Sequence, residues 1–497
     1  MAMMSNIESS NHKILFGFLV FLLIFAPIIR AGNLPLPLML MELLILPMIF
    51  LLLTETRMLW ERYRSLLVLC LGFLILTALF LLPLPETVWA WLPGREAYIE
   101  ILRTSQNGIE SDWRAISISP QETEMSLWSL MLPVVVFVAV ISQPKHAIRQ
   151  LVYVVIAMAL LQSTIGLLQY GYGPGSGWYL GNTRGGGSAA GTYLNRDHLA
   201  GFLEMVFPVI LALLAAMLGH RSKQRRYQRS LRQRLSFIAT IEGNQSLLYG
   251  VIAILVMLCL IFTRSRAGIA LMMLGLFLSM IAFSRRLGGS NIYGTYGTVM
   301  TIIIVLAIEI GLTPVLDRFS VDPMQDLRWE IYSNSLEGMG QFFPIGSGPG
   351  TFPLIYPFYQ TPNLDAFINH AHNDYLEWIF DGGLLMAGLI LAGLILYFYQ
   401  WKVIWIPGKW HVFRFIQVGA GIGVFLMLIH TFIDFNLHKP ANAVYFAFFL
   451  AVFMRKNTQE QDIKRQRQER SSTRRLPVGV NKPQPVSNGK PVIKPDW

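Results

Sequence analysis

Residues 368–383 read INHAHNDYLEWIFDGG and set His370, His372, Asn373, Asp374, Tyr375, Glu377 and Asp381 just ahead of a long apolar run. Three kinds of chemistry fit. An imidazole titrates near neutral pH and can take a proton from an attacking hydroxyl, with its neighbours holding it in place. The H-x-H-x-D spacing also suits a metal hydrolase, and His430 with Asp434, four residues apart on a helix, could complete such a metal site. The plainest reading is a polar cap on the helix that follows.

A second set of residues is cationic. The turn TRSRAG (263–268) carries Arg264 and Arg266, LRWEIY carries Arg328, and Asn195-Arg196-Asp197-His198 closes a glycine-rich loop. A guanidinium fork matches the oxygens of a phosphate or pyrophosphate. A lone arginine at a membrane surface has the simpler role of reaching the headgroups. Three in loops otherwise rich in acids are better explained by a shared anion.

Long apolar elements must position these residues. The chain has 497 residues, 54% hydrophobic and only 14% charged, against about 25% charged in soluble proteins. A membrane helix takes roughly 20 apolar residues. Twelve runs approach that length, centred on 14–30, 36–53, 65–83, 127–142, 150–170, 199–219, 247–262, 267–283, 298–313, 383–400, 412–431 and 441–454. The first lacks a cleavage site and reads as a retained span. Cys70 and Cys259 lie inside apolar runs and read as packing residues.

Charge sets the expected orientation. The stretch 221–234 holds seven Lys/Arg and no acid, and the segment from Arg455 onward holds eleven against four Asp/Glu. With 54–65, 142–150 and 284–286 they alternate as cytoplasmic loops, so both termini are expected in the cytoplasm. Loops 84–126, 171–198 and 314–382 fall on the other side; 314–382, between spans nine and ten, has nine acids, two arginines and no lysine. The net charge of +11 is thus topogenic and lipid-facing rather than a nucleic-acid footprint. We expect an all-α polytopic membrane domain over 1–454 and a basic, disordered cytoplasmic tail over 455–497. A transporter or flippase fits less well, because no internal repeat is visible and the ionisable residues gather at one surface.

Over residues 125–450 the motifs resemble the O-antigen ligase and polymerase superfamily. HAHNDYLEWIFDGG resembles its H-x-H-N-x-Y-L-E…E-x-G signature, SRAG its S-R-G turn, and GTYLNRDHLAGFLEM its G-T-F-x-N-x-N-x-F-A segment. RWEIY followed by PIGSGPGTF is similar to its approach to the histidine, and DFNLHKPANA also fits. Ala267, Asp197, Asp381 and Met386 stand where the family usually has Gly, Asn, Glu and Gly. The resemblance implies a C-type glycosyltransferase-like fold in the bacterial inner membrane. It implies transfer of a glycan from undecaprenyl pyrophosphate to an acceptor hydroxyl on the periplasmic face, without cofactor or metal. The acceptor would be lipid A-core, a growing glycan or a protein. Position by position, Arg266 and Arg328 match the arginines expected on the pyrophosphate and His372 the expected base. Asn373, Tyr375 and Glu377 match residues shaping that loop, and His370 takes a supporting part. Arg264, Arg196 and Asn195 rest on local chemistry alone.

Overall fold

The computed structural model describes residues 2–96, 98–99, 113–182, 186–219, 241–287, 297, 301, 305, 327–362, 364–405 and 410–456. Two compact units are present, Met1–Met454 and Arg455–Trp497. The first is built of helices α1 (Ala2–Ile28), α2 (Pro35–Leu53), α3 (Thr56–Leu79), α4 (Pro120–Ser142), α5 (Lys145–Tyr172), α6 (Arg196–Gly219), α7 (Ile241–Phe262), α8 (Arg266–Leu287), α9 (Arg328–Phe342), α10 (Asp374–Ile404), α11 (Val412–His430) and α12 (Pro440–Met454). Ten of these are long and apolar enough to cross a membrane, and α12 is a shorter apolar helix. They correspond to eleven of the twelve expected spans. Apart from residues 301 and 305, the expected span at 298–313 lies outside the described residues, as do the basic loop 221–234 and most of the basic tail. The protein is an all-α polytopic membrane protein.

Two boundaries differ from the sequence reading. Residues 54–65 were expected as a loop, yet α3 begins at Thr56. On its charged, exposed first turns Arg57 and Glu61 pair across i,i+4 at 3.2 Å, a small addition to helix stability. The stretch 84–126 is not all loop either. Strands β1 (Pro83–Pro85) and β2 (Trp113–Ala115) pair antiparallel, and the buried Arg95 ties down the adjoining turn by donating to the Ile116 carbonyl at 2.8 Å.

The interior is organised around α6, whose Phe202, Leu203, Phe207 and Ile210 are fully buried. Helix α11 approaches it closely through Gly419 and Gly423, four residues apart. A Cβ at Gly419 would lie 2.8 Å from the Pro208 carbonyl oxygen, and one at Gly423 would strike the Met205 carbonyl. Small residues at this spacing let membrane helices pack backbone to backbone, where dispersion rather than water drives association. The contact brings the start of α6 beside the end of α11, and Glu204 on α6 meets His430 on α11 at 2.9 Å with both side chains buried.

Helix α10 is broken at Gly383 (φ 62°). The break is made by the segment after α9: the Leu384 amide, freed from the helix, donates to the Pro344 carbonyl at 2.8 Å. Past it, Gly346, Gly348 and Gly350 all have positive φ. A side chain at Gly346 would strike the Asp381 carbonyl and one at Gly348 would strike Ser117. These glycines serve close approach of protein to protein. Asp381 clamps the loop, accepting from the Gly350 amide at 2.7 Å. The polar piece of α10, 374–382, is thereby held as a separate short helix at one end of the bundle.

Candidate active site

Asn373 caps α10, its Oδ1 accepting from the Leu376 amide at 3.0 Å. Just before it, His372 sits in the left-handed region at φ 54°, a conformation that costs a non-glycine residue on the order of 1–3 kcal/mol and persists where surrounding contacts enforce it. The contacts are visible: the Tyr332 hydroxyl on α9 donates to the His372 carbonyl at 2.8 Å, and Thr431 accepts from the Asp374 amide at 2.9 Å. Tyr375 secures the same turn, its hydroxyl donating to the Leu428 carbonyl at 2.9 Å.

The strained turn aims His372 Nδ1 at Asp434, 3.5 Å from its Oδ1. That is ion-pair range, longer than a good hydrogen bond. Asp434 is 1% exposed whereas the His372 side chain is 27% exposed. Burial opposes the charge on Asp434, but His372, His198, His430 and Arg328 outweigh it and hold its pKa well below the usual carboxylate range. His198 Nε2 stands 3.9 Å from the same oxygen. The ring of Phe435 lies among three imidazoles, edge-on to His372 and His198 and stacked on His370 at 4.4 Å.

On the far side of Phe435 is a second cluster. Glu377 receives His370 Nδ1 at 2.9 Å and His438 Nε2 at 3.2 Å, and its other oxygen accepts from the Ala371 amide. Asp374 receives His438 Nδ1 at 2.5 Å. Burial disfavours the His438 cation, yet two facing carboxylates raise its pKa to about 9. His370 goes the other way: burial lowers it to about 4 against the pull of Glu377. Among the described residues, His370, Glu377 and His438 bring three donor atoms within 4.8 Å of one another. The metal set considered from sequence was His370, His372 and Asp374 with His430 and Asp434, and of these only His370 belongs to this trio. The Lys439 ammonium, 3.5 Å from His370 Nε2, adds a positive charge where a cation would have to sit.

The arginines divide. Arg266 opens α8, after Ser265 caps that helix by accepting from the Gly268 amide at 3.2 Å. Gly268 packs on Ala200, so the starts of α8 and α6 lie side by side. Arg196 opens α6 behind Asn195, whose Oδ1 accepts from the Asp197 amide at 2.9 Å. Arg328 opens α9 and bears electrostatically on Asp434. Arg264 is turned toward the last turn of α5, its guanidinium over the ring of Tyr170 at 5.5 Å. Asp434, His198, His438 and Lys439 were not among the expected site residues. For Asp434, His438 and Lys439 the signal was available in HTFIDFNLHKPAN, an acid and two histidines in a short link between apolar runs, but there Asp434 was weighed only as a metal ligand; His198 stood at the end of the glycine-rich loop, in NRDH.

A cavity of about 360 Å³ opens beside these groups, lined among others by Arg30, Asn33, Arg196, His198, Asn369 and Lys439.

Fold and site together define a multi-pass membrane protein whose histidines, carboxylates and arginines converge at one end of a helix bundle. Comparison with curated proteins gives no match. Residues 251–391 match the family model described as O-antigen ligase, which supports the likeness of this segment to the O-antigen ligase and polymerase superfamily. The matched segment carries Arg264, Arg266, Arg328, His370 and His372; Asn195, Arg196, His198, Asp434, His438 and Lys439 lie outside it.

Proposed function

We propose that this protein is an O-antigen ligase-like glycan transferase of the bacterial inner membrane. It moves a glycan from undecaprenyl pyrophosphate to an acceptor hydroxyl on the periplasmic face, with both termini in the cytoplasm. The observation that carries this reading is the His372–Asp434 pair beside Arg328, on a helix-capping turn held in a strained conformation.

With Nδ1 directed at the Asp434 carboxylate, the proton of neutral His372 resides on Nδ1 and Nε2 is the basic nitrogen. Nε2 takes the acceptor hydroxyl proton as that oxygen bonds to the anomeric carbon. The bond from that carbon to pyrophosphate breaks on the opposite face, so the configuration inverts, and the pyrophosphate leaves on its lipid carrier. Arg266 and Arg328 neutralise the charge that gathers on the leaving oxygens; a well-placed donor of this kind is worth about 3–4 kcal/mol. The base contributes roughly 10²–10⁴-fold. Asn373, Tyr375 and Glu377 hold the turn, and Arg196 and Asn195 lie next to the acceptor. No step draws on a metal or cofactor.

His372→Ala is expected to abolish transfer in protein that is inserted and folded, and full activity in that variant would end the base assignment. Deletion of the gene separates the acceptors. A ligase mutant accumulates lipid-linked polymer over bare core, whereas loss of a polymerase leaves single repeat units; the second result would move the reading to polymerase.

A further inference from the structure

Lys439 is 5% exposed and lines the cavity. A buried ammonium is costly unless compensated. Among the described residues its hydrogen-bond partners are both neutral: Asn33 Oδ1 at 3.3 Å and His370 Nε2 at 3.5 Å, with the Phe435 ring 4.5 Å away. The neighbouring carboxylates are engaged elsewhere, Glu377 and Asp374 by His438 and Asp434 by His372. Arg30 and Arg196 share the cavity wall, against the single acid Asp197, while the Asn33, Asn195 and Asn369 amides supply neutral polar contacts. The turn that presents Arg30 has three successive residues at positive φ, Arg30 at 49°, Ala31 at 56° and Gly32 at 72°. That places an exposed arginine beside a buried lysine.

The wall adjoins the base through Phe435 and His198, and neither Arg266 nor Arg328 belongs to it. Of the residues matched by the O-antigen ligase family, only Asn369 does. We infer that this cavity is the acceptor subsite and that it recognises an acidic sugar, one bearing a phosphate or carboxylate near the attacking hydroxyl, through Lys439 and Arg30. The inference rests on the transferase reading for its word "acceptor". The anion site itself stands on the cavity.

The test uses the full chain purified in detergent and measures equilibrium binding of glucose 6-phosphate, glucuronate and glucose by saturation-transfer NMR, with inorganic pyrophosphate as the donor-side probe. At least one acidic sugar is expected to bind and glucose is not; which of the two binds tells phosphate from carboxylate. Lys439→Met and Arg30→Gln are each expected to weaken that binding at least tenfold and to leave pyrophosphate affinity unchanged. Arg30 is exposed, so Arg30→Gln stands as the variant that keeps the fold. Neither acidic sugar binding, glucose binding as well as they do, unchanged binding in a folded Arg30→Gln protein, or loss of pyrophosphate binding in that variant overturns the inference. These readouts need no transfer reaction, so they are separate from the outcome for His372→Ala.

Discussion

Asp434 is the residue on which the proposed chemistry turns, because it fixes which nitrogen of His372 is basic. Asp434→Asn is expected to lower kcat by about 10²–10⁴-fold with a much smaller change in KM. A merely structural role would instead move the thermal midpoint and leave the acid limb of the pH profile where it was. The second cluster makes a pH prediction. His438 is raised to about 9, so its contribution to stability is complete below about pH 6.5, the ordinary histidine value, and is lost as pH climbs through 9. His370 is lowered to about 4, so its contribution is complete above about 6.5 and is lost as pH falls through 4. Lys439, lowered by burial to about 8, adds a rise only above pH 8. Thermal unfolding in detergent should therefore show stability falling as pH rises from 6.5 toward 9, and the decline from 6.5 to 8 should be smaller in His438→Gln than in the wild type. A wild-type curve still climbing over that interval would contradict the assignment. At this scale the sequence was half legible. The base and two arginines stood in recognisable short motifs. Asp434, His198 and Lys439 also lay in stretches that resemble the family, but no role could be read for them there, since each gains its meaning from a partner far along the chain: His372 and Asp434 are 62 positions apart, His370 and Lys439 are 69.

Helices were more legible than residues, because a bilayer demands apolar runs of a fixed length. The misread start of α3 shows the limit of that rule: charged residues exclude a membrane interior but not a helix that emerges from it. Nor could hydropathy foresee that α10 is two helices, since the break at Gly383 is imposed by a loop arriving from residues 344–348. The α6–α11 contact is the element-level feature the site depends on. Gly423→Leu forces a side chain into the Met205 carbonyl, and overpacking of this kind costs about 1–3 kcal/mol. We expect a lowered thermal midpoint together with loss of transfer, since His430 and Asp434 shift with α11. Gly388→Ala is the control: nothing lies within 4 Å of a Cβ there, and the midpoint should hold or rise. Equal loss in both variants would mean that the glycine contact is not what aligns the two helices.

At the scale of the whole molecule, composition alone announced a membrane protein, and the family match over 251–391 covers only part of the site that the fold assembles. The three-ligand cluster of His370, Glu377 and His438 yields a direct check on the metal reading. Prolonged treatment with a strong chelator should leave transfer unchanged, and activity lost to chelation and restored by one divalent ion would replace the base mechanism. The ionisable residues of the site all converge on one end of the bundle, where α6, α8, α9 and α10 begin and α11 finishes. In the proposed reaction the proton released by the acceptor and the departing pyrophosphate are both handled at that end. No charge has to travel through the protein, and the membrane potential has no purchase on the chemistry. Turnover in open detergent micelles should equal turnover in sealed liposomes, and collapsing the proton gradient with an uncoupler should not slow it. A carrier of lipid-linked sugars, by contrast, has no measurable output without two compartments.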